Sequence, residues 1–157
     1  MDEASLWPKI ESLYRAKFAQ FERVARAITG DPDSALEAVQ EGFADALRRC
    51  DQWAGSGPLE GWVWRCVVNR ARKARRRPAP ELRADEPSTD GNHTHAELVA
   101  RLAVLPERQR LVVFLRYFAD LEYREIAEAL EIETGTVSAT LHAAHASLRP
   151  GYQEALA

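Results

Sequence analysis

The chain has 157 residues, of which 46% are hydrophobic and 29% are charged, and its formal net charge is -3 at pH 7. That length allows one ordinary domain or two small ones and leaves little room for a large enzyme fold. The composition excludes a disordered or fibrous chain, and the sequence has no uncharged apolar run long enough to span a membrane.

The first ten residues hold neither the positively charged region nor the apolar region of a secretion signal. The two cysteines, Cys50 and Cys66, are too few for a disulfide framework or a zinc site. We therefore expect both to be small buried residues in a protein of the reducing cytoplasm that does not insert into membranes.

Positive charge is concentrated in one segment. Between Trp62 and Pro78 there are seven Lys or Arg residues and no Asp or Glu, whereas residues 1–61 hold eleven acids and seven bases, and residues 96–157 hold nine acids and six bases. Charges more than about 10 Å apart are largely screened at ordinary salt, so this basic segment can attract a polyanion locally. The alternative is a solvated helix end.

Three helices are predicted in the first half from apolar residues at three- and four-residue steps. Ser5 could cap the first, with Pro8 in its first turn and Ile28 near its end. Asp31 or Asp33 could cap the second, which runs to about Cys50. Its apolar stripe is Leu36, Val39, Phe43 and Leu47.

A loop, DQWAGSGP, separates the second helix from the third. The third helix is predicted from about Pro58 to Arg76, with the basic segment on its far end. Its inward residues are Leu59, Trp62, Val63, Cys66 and Val67.

Residues 78–95 contain three prolines and almost nothing apolar, which indicates a flexible linker. The domains are therefore 1–77 and 96–157. The second begins with a short helix carrying Leu98, Leu102 and Leu105, and Pro106 opens the next helix. Helices at about 122–130 and 134–148, joined by a three-residue turn, form a helix-turn-helix. The core of this motif is Ile126, Ala127, Ile132, Val137 and Leu141. No strand pattern occurs, so the fold class is all-α.

Three segments, in this order, resemble one family: ALEAVQEGFADAL, GWVWRCVVNRARKARRR, and the 45 residues that begin with LPERQR and end with LHAAHASLR. The family is the extracytoplasmic-function (ECF) group of bacterial sigma factors. The resemblance implies two small helical domains, sigma region 2 and helix-turn-helix sigma region 4, joined by a flexible linker. It also implies a protein that binds core RNA polymerase and directs promoter recognition, -10 element melting and transcription initiation.

The resemblance also implies site residues. The residues implied for binding -10 DNA are Trp53, Trp62, Arg65, Asn69, Arg70, Arg72, Lys73, Arg75 and Arg76. The residues implied for binding polymerase are Glu37, Gln40, Glu41 and Asp45. The residues implied for binding -35 DNA are Arg124, Thr136, Ser138, Thr140, His142 and His145. An aromatic face can stack on an unpaired base, and an Asn amide can recognise a base edge. From the residues alone, core packing is the better account of Trp62, a local hydrogen bond that of Asn69, and a solvated helix face that of the acidic set.

The sequence departs from the family pattern at three points. The recognition helix has Ser, Ala, Thr and His where the family has several basic residues, so -35 recognition is expected to be weak. Glu131 replaces a glycine at the turn, where a left-handed residue is expected. Lys73 stands where aspartate is frequent, which adds positive charge.

Two other functions remain open at this stage. One is a polymerase-associated adaptor whose region 4 binds a protein, such as an anti-sigma factor, and the other is a dimeric helix-turn-helix repressor. No catalytic arrangement, cofactor or metal site is expected, because His142, His145, His93 and His95 lack partners at metal-site spacing.

Overall fold

The structure of the protein is a computed structural model, and it describes residues 3–53, 55, 57–75 and 100–149. Within these ranges the chain forms helices and no strand, which confirms the all-α prediction. The first half contains α1 (Glu3–Thr29), α2 (Pro32–Arg48), a 3-10 turn (Cys50–Gln52) and α3 (Leu59–Ala74). The second contains a helical segment at 100–104, α4 (Glu107–Val113), a π-helical turn (Phe114–Phe118), α5 (Tyr123–Leu130) and α6 (Thr134–Leu148).

The structure decides between the two caps predicted for α2 and corrects the predicted start of α1. Asp31 caps α2, since its Oδ2 accepts hydrogen bonds from the Ser34 amide at 2.9 Å and the Ser34 hydroxyl at 2.7 Å. Helix α1 begins at Glu3, so Ser5 is not its cap and Pro8 lies inside it rather than in its first turn. The backbone of α1 is non-helical at Lys17, where φ is -125° and ψ is 16°.

Helices α1, α2 and α3 enclose an aromatic core. Phe21 stacks on Trp64 with ring centroids 3.8 Å apart, and Phe43 meets Phe21 edge to face. Gly42 lets α2 approach α3, because a Cβ built there would lie 2.6 Å from the Val67 Cα atom. Trp64 is fully buried, although the predicted inward face of the third helix did not include it.

Small residues occupy the centre of the buried face of α2: Ala35, Ala38, Gly42 and Ala46. Leu36 was predicted to join this face, but it is 40% exposed. Ala and Gly let the backbone of α2 pack closely against its neighbouring helices, and a Leu at the edge of that narrow contact stays outside it. The prediction also ran α2 to about Cys50, whereas it ends at Arg48.

The helix-turn-helix is confirmed with the predicted core. Ile126, Val137 and Leu141 are buried between α5 and α6, and the turn between these helices is the predicted three residues. Glu131 ends α5 with φ 57° and ψ 46°, so the expected left-handed residue is present. Pro106 precedes α4 as predicted.

The two halves pack together through α3 and α5. Gly61 marks the contact, since a Cβ built there would lie 2.9 Å from the Glu125 carbonyl oxygen and 2.9 Å from the Glu128 Cβ. The buried apolar residues of both halves form one connected cluster. The predicted linker, Leu98, His93 and His95 lie outside the described residues, and separate folding of the two domains stays a prediction.

Candidate nucleic-acid interface

One side of α3 faces a cleft of about 600 Å³. The cleft is lined by Asp45, Arg49, Cys66, Asn69, Arg70, Arg72, Lys73, Arg75 and Glu107. Five of these nine residues are Lys or Arg and two are carboxylates, so the cleft is positively charged. The residues come from α2, α3 and the start of α4, and both halves of the chain therefore build its walls.

Asn69 lies in this cleft and is half-buried. Its side chain makes no hydrogen bond to any residue of the described ranges, which argues against the local hydrogen bond considered from sequence. The amide keeps both a donor and an acceptor for a partner from outside the chain.

Arg70 does not stand free in the cleft. Its Nη2 donates to the Asp45 Oδ1 at 2.8 Å and its Nε donates to Oδ2, which forms a two-point ion pair between α3 and α2. Arg48 donates to the same carboxylate. The hydrogen bonds from Arg70 are the main reason that the pKa of Asp45 falls from 3.8 to about 2, and Arg48 lowers it further.

Two more cations of α3 are paired with carboxylates of the second half. Arg72 Nε donates to the Glu107 Oε1 at 2.8 Å. Arg65 pairs with Glu131, and its Nη1 lies 3.8 Å from the Glu128 Oε1. Their side chains are 48% and 36% exposed, so these pairs lie at the surface, where they can exchange partners.

Lys73 and Arg75 form no ion pair with any residue that the structure describes. Lys73 is exposed and Arg75 is half-buried beside the cleft. Arg76, the last residue of the predicted -10 set, lies outside the described residues.

The three tryptophans near α3 differ in accessibility. Trp62 is only 8% exposed and Trp64 is fully buried, so the core account of Trp62 is correct and its assignment to DNA is withdrawn. Trp53 follows the 3-10 turn, is half-buried and packs against the core, and its indole Nε1 has no hydrogen-bond partner among the described residues. It alone of these three presents an edge to solvent.

The predicted polymerase face of α2 is divided by the fold. Glu37, Gln40 and Glu41 are exposed, whereas the Asp45 side chain is 16% exposed and held by Arg70. The prediction that Asp45 belongs to the polymerase face is therefore corrected, because Asp45 lies on the flank of α2 that contacts α3 and not on the outward face. Nothing in the spacing of Asp45 and Arg70 along the sequence indicates their pairing.

The outer surface of α6 is nearly neutral. Ser138, His142 and His145 are exposed, and Thr136 and Thr140 are half-buried. His145 also shares a hydrogen bond with the Tyr117 hydroxyl, with Nε2 and the oxygen 2.6 Å apart. Arg124 is exposed on α5 beside a second cleft at the helix-turn-helix turn. Weak phosphate binding by this surface remains a prediction.

Four site residues were not singled out from sequence: Arg49, Glu107, Glu128 and Glu131 as partners of α3 and its cleft. Glu107, Glu128 and Glu131 contact the other half, and such contacts carry no spacing signal, so only the opposite charge of the two halves could have indicated these three residues. Both cysteines are buried as predicted, and burial raises the pKa of the Cys66 thiol. In the described ranges no cluster of three or more metal-ligating side chains occurs, and no helix there is long and apolar enough to cross a membrane.

Comparison with known proteins covers nearly the whole chain. Residues 13–79 match the family described as Sigma-70 region 2, and residues 95–148 match the one described as Sigma-70, region 4. The RNA polymerase sigma-E factor of Streptomyces coelicolor is 31% identical over 150 residues, covering 90% of this chain and 84% of that protein. The ECF RNA polymerase sigma factor SigE of Mycolicibacterium smegmatis is 28% identical over 163 residues, covering 94% of this chain and 63% of that protein.

A solved structure, CnrH in complex with the cytosolic domain of CnrY, has a similar fold with a TM-score of 0.70. Its sequence is 21% identical, and the match covers 88% of this chain and 84% of that one. At this identity the likeness concerns the fold.

Proposed function

Because the chain belongs to the sigma-70 family, and within it to the ECF sigma factors, we propose which of its residues perform each part of the family's task. The chain binds core RNA polymerase and directs it to promoters for transcription initiation. This membership favours a promoter-directing factor over the adaptor and repressor alternatives.

The cleft beside α3 is the proposed site for the single strand of the -10 element. The observation that carries this proposal is Asn69, whose amide has no partner among the described residues while the surrounding walls are rich in cations. A polar group with a free donor and acceptor can recognise an unpaired base, and the cations bind the phosphates on either side. Lys73 and Arg75 are available for this directly, and Arg70 and Arg72 become available when their carboxylates release them. Arg65 lines the second cleft and is proposed to extend the basic surface once Glu131 releases it.

Trp53 is the proposed stacking surface for a second unpaired base. It lies in the loop just before α3 and is half-buried, so part of the residue is accessible to a partner. Its unpaired indole Nε1 also offers a donor to a phosphate or base if the loop adjusts on binding. Arg76, just beyond α3, is proposed to extend the basic surface along the strand.

The outward face of α2, formed by Glu37, Gln40 and Glu41, is the proposed contact with polymerase. Its side chains are exposed, and acidic side chains suit a basic partner surface. Asp45 is left out of this face because it is bound to Arg70 and Arg48.

The helix-turn-helix is proposed to bind -35 DNA weakly, through Arg124 and the exposed polar groups of α6. Hydroxyl and imidazole groups can reach base edges, but phosphate contacts supply most of the affinity for DNA and α6 offers few cations. We propose that the chain works in the cytoplasm without a catalytic role, as sigma factors are generally not enzymes. An anti-sigma protein is also proposed as a partner, as membership of the ECF group implies.

The test is run-off transcription with purified core polymerase on a promoter selected for this chain from a random library. Wild type should produce a discrete transcript, and Asn69→Ala should lower its yield and relax the base preference at one -10 position. Arg15→Ala is a matched control, because Arg15 is an exposed cation of the same half that pairs only with its neighbour Glu11 among the described residues. Equal promoter selectivity of Asn69→Ala and wild type would contradict the assignment, and loss in Arg15→Ala equal to that in Lys73→Ala would contradict the location of the site.

A further inference from the structure

We propose that carboxylates of the helix-turn-helix half form a latch on α3, which holds the free chain closed and competes with single-stranded DNA for the same cations. The latch is defined by Glu107, Glu128 and Glu131 on one side and Arg65 and Arg72 on the other. The competition with DNA rests on the proposed function of α3, whereas the closure itself does not.

The ion pairs of the latch join two sides of the molecule. Glu131 and Glu128 both contact Arg65, and Glu107 accepts a hydrogen bond from Arg72. All three carboxylates lie in the second half, and both cations lie on the DNA-facing helix of the first. A guanidinium that is held by a carboxylate cannot at the same time hold a phosphate at full strength, so DNA must displace the latch.

Glu131 is an unusual residue for its backbone conformation. With φ 57° and ψ 46° it occupies the left-handed region, which favours glycine and to a lesser degree asparagine. A glycine there would relieve this strain but would have no side chain to reach Arg65. The ion pair with Arg65 is therefore the contact that gives a glutamate a role at this turn.

The latch is supported by backbone packing that does not depend on charge. A Cβ on Gly61 would come within 2.9 Å of the Glu125 carbonyl oxygen and 3.1 Å of the Glu125 Cα. These are backbone atoms and cannot move aside as a flexible side chain can. Helix α3 therefore touches α5 at a point where only glycine fits, directly beside the Arg65 ion pairs.

Two independent ways of opening the latch follow from these contacts. Gly61→Ala removes no charge, and alanine favours the helix over glycine, so this variant disturbs the contact with α5 while α3 itself is stabilised. Glu107→Gln with Glu131→Gln removes both hydrogen-bonded ion pairs and leaves the backbone contact and the longer Glu128–Arg65 contact of 3.8 Å. The matched controls are Gly135→Ala, since a Cβ there has no neighbour within 4 Å, and Glu11→Gln with Asp51→Asn, which removes two exposed negative charges that form no ion pair with α3.

The full-length variants are compared in two measurements at pH 7. Small-angle X-ray scattering gives the radius of gyration, and fluorescence anisotropy gives the affinity for a dye-labelled single strand of mixed sequence, about 12 nucleotides long, which is within the usual range of site sizes. We expect both openers to have a larger radius of gyration than their controls. We also expect them to bind the strand about three to ten times more tightly, because exposed ion pairs each contribute little.

Three outcomes separate the parts of the proposal. A larger radius of gyration with tighter binding supports it, whereas an unchanged radius in both openers overturns the latch. Opening without any gain in affinity shows that the latch does not compete with DNA and overturns that part. If neither wild type nor any variant binds the strand while the openers still expand, the proposed role of α3 fails and closure by the latch stands.

Discussion

The ion pair between Asp45 and Arg70 gives the clearest opportunity to separate stability from DNA binding. Replacing Asp45 with Asn keeps the shape of the side chain and removes its charge. In the folded chain the pKa of Asp45 is about 2, whereas its ordinary value is 3.8. One pKa unit corresponds to about 1.36 kcal/mol, so the difference corresponds to about 2 kcal/mol of stability at neutral pH.

Screening by solvent reduces that figure, because the Arg70 side chain is 34% exposed. We therefore expect Asp45→Asn to lower the free energy of unfolding at pH 7 by about 1–2 kcal/mol. The pKa is depressed in the folded state, so the contribution is fully present above pH 3.8 and is lost as the pH falls through about 2. The difference between wild type and variant should accordingly shrink to about half near pH 3.

The same substitution releases Arg70 into the cleft. Affinity for single-stranded DNA should therefore rise about two- to threefold even though the fold becomes less stable, because one more cation faces the phosphates. Urea unfolding at pH 7, 5 and 3 measures the first effect and anisotropy the second. Asp51→Asn is the control, since Asp51 is exposed and has no ion pair with a described residue.

Two results would refute this reasoning. A destabilisation that is equally large at pH 7 and pH 3 would mean that the loss does not come from the ion pair. A fall in DNA affinity would mean that Asp45 orients Arg70 for DNA and does not withhold it.

Three further predictions concern the core, the loop and the contact between halves. Gly42→Ala should cost about 1–3 kcal/mol in urea unfolding, because its Cβ would overlap the Val67 backbone; a loss below that of Gly135→Ala would contradict the packing. Trp53→Ala should lose about 1–3 kcal/mol of binding to single-stranded -10 DNA with a smaller change in stability, and unchanged affinity would remove it from the site. Burial raises the pKa of Glu125, with the Glu60 carboxylate adding to the effect, so the closed form binds a proton more readily and this term favours closure as the pH is lowered from neutral. Glu125→Gln should remove this pH dependence from the radius of gyration, and a profile identical to wild type would count against it.

The helices could be predicted because their signals are local. Asp31 before Pro32 sets the start of α2, Pro106 sets that of α4, and apolar spacing places Ile126 and Val137 in the helix-turn-helix. Each of these features depends on residues within one or two turns of each other. The errors concern helix ends, with Ser5 and Pro8 at the start of α1 and Cys50 at the end of α2, and the edge of a packing face, with Leu36. At such places neighbouring elements decide the outcome.

The site was only partly predictable for a related reason. Arg70, Arg72, Lys73 and Arg75 are close to Asn69 in sequence, and the structure places them with it on one cleft. The partners of Arg65, Arg70 and Arg72 come from helices 25 to 66 residues away along the chain, and no periodicity links them. Sequence reasoning therefore counted these cations as available for DNA, although three of the five described on α3 are held by carboxylates.

That occupancy changes the salt dependence expected for DNA binding. If the cations of α3 contact three or four phosphates, a single strand should give a log-log slope of about -2 to -3. When a cation exchanges a carboxylate for a phosphate, the strand releases its condensed counterions but the freed carboxylate attracts cations in turn. Fewer ions are therefore released on balance. The two cations without a described partner, Lys73 and Arg75, would alone give about -1.4. The closed wild-type chain should therefore show a slope nearer to that value, and Gly61→Ala, which frees Arg65 and Arg72 without changing the charge, should show the steeper one. Equal slopes for the two proteins would mean that the carboxylates of the second half do not limit the basic surface of the first.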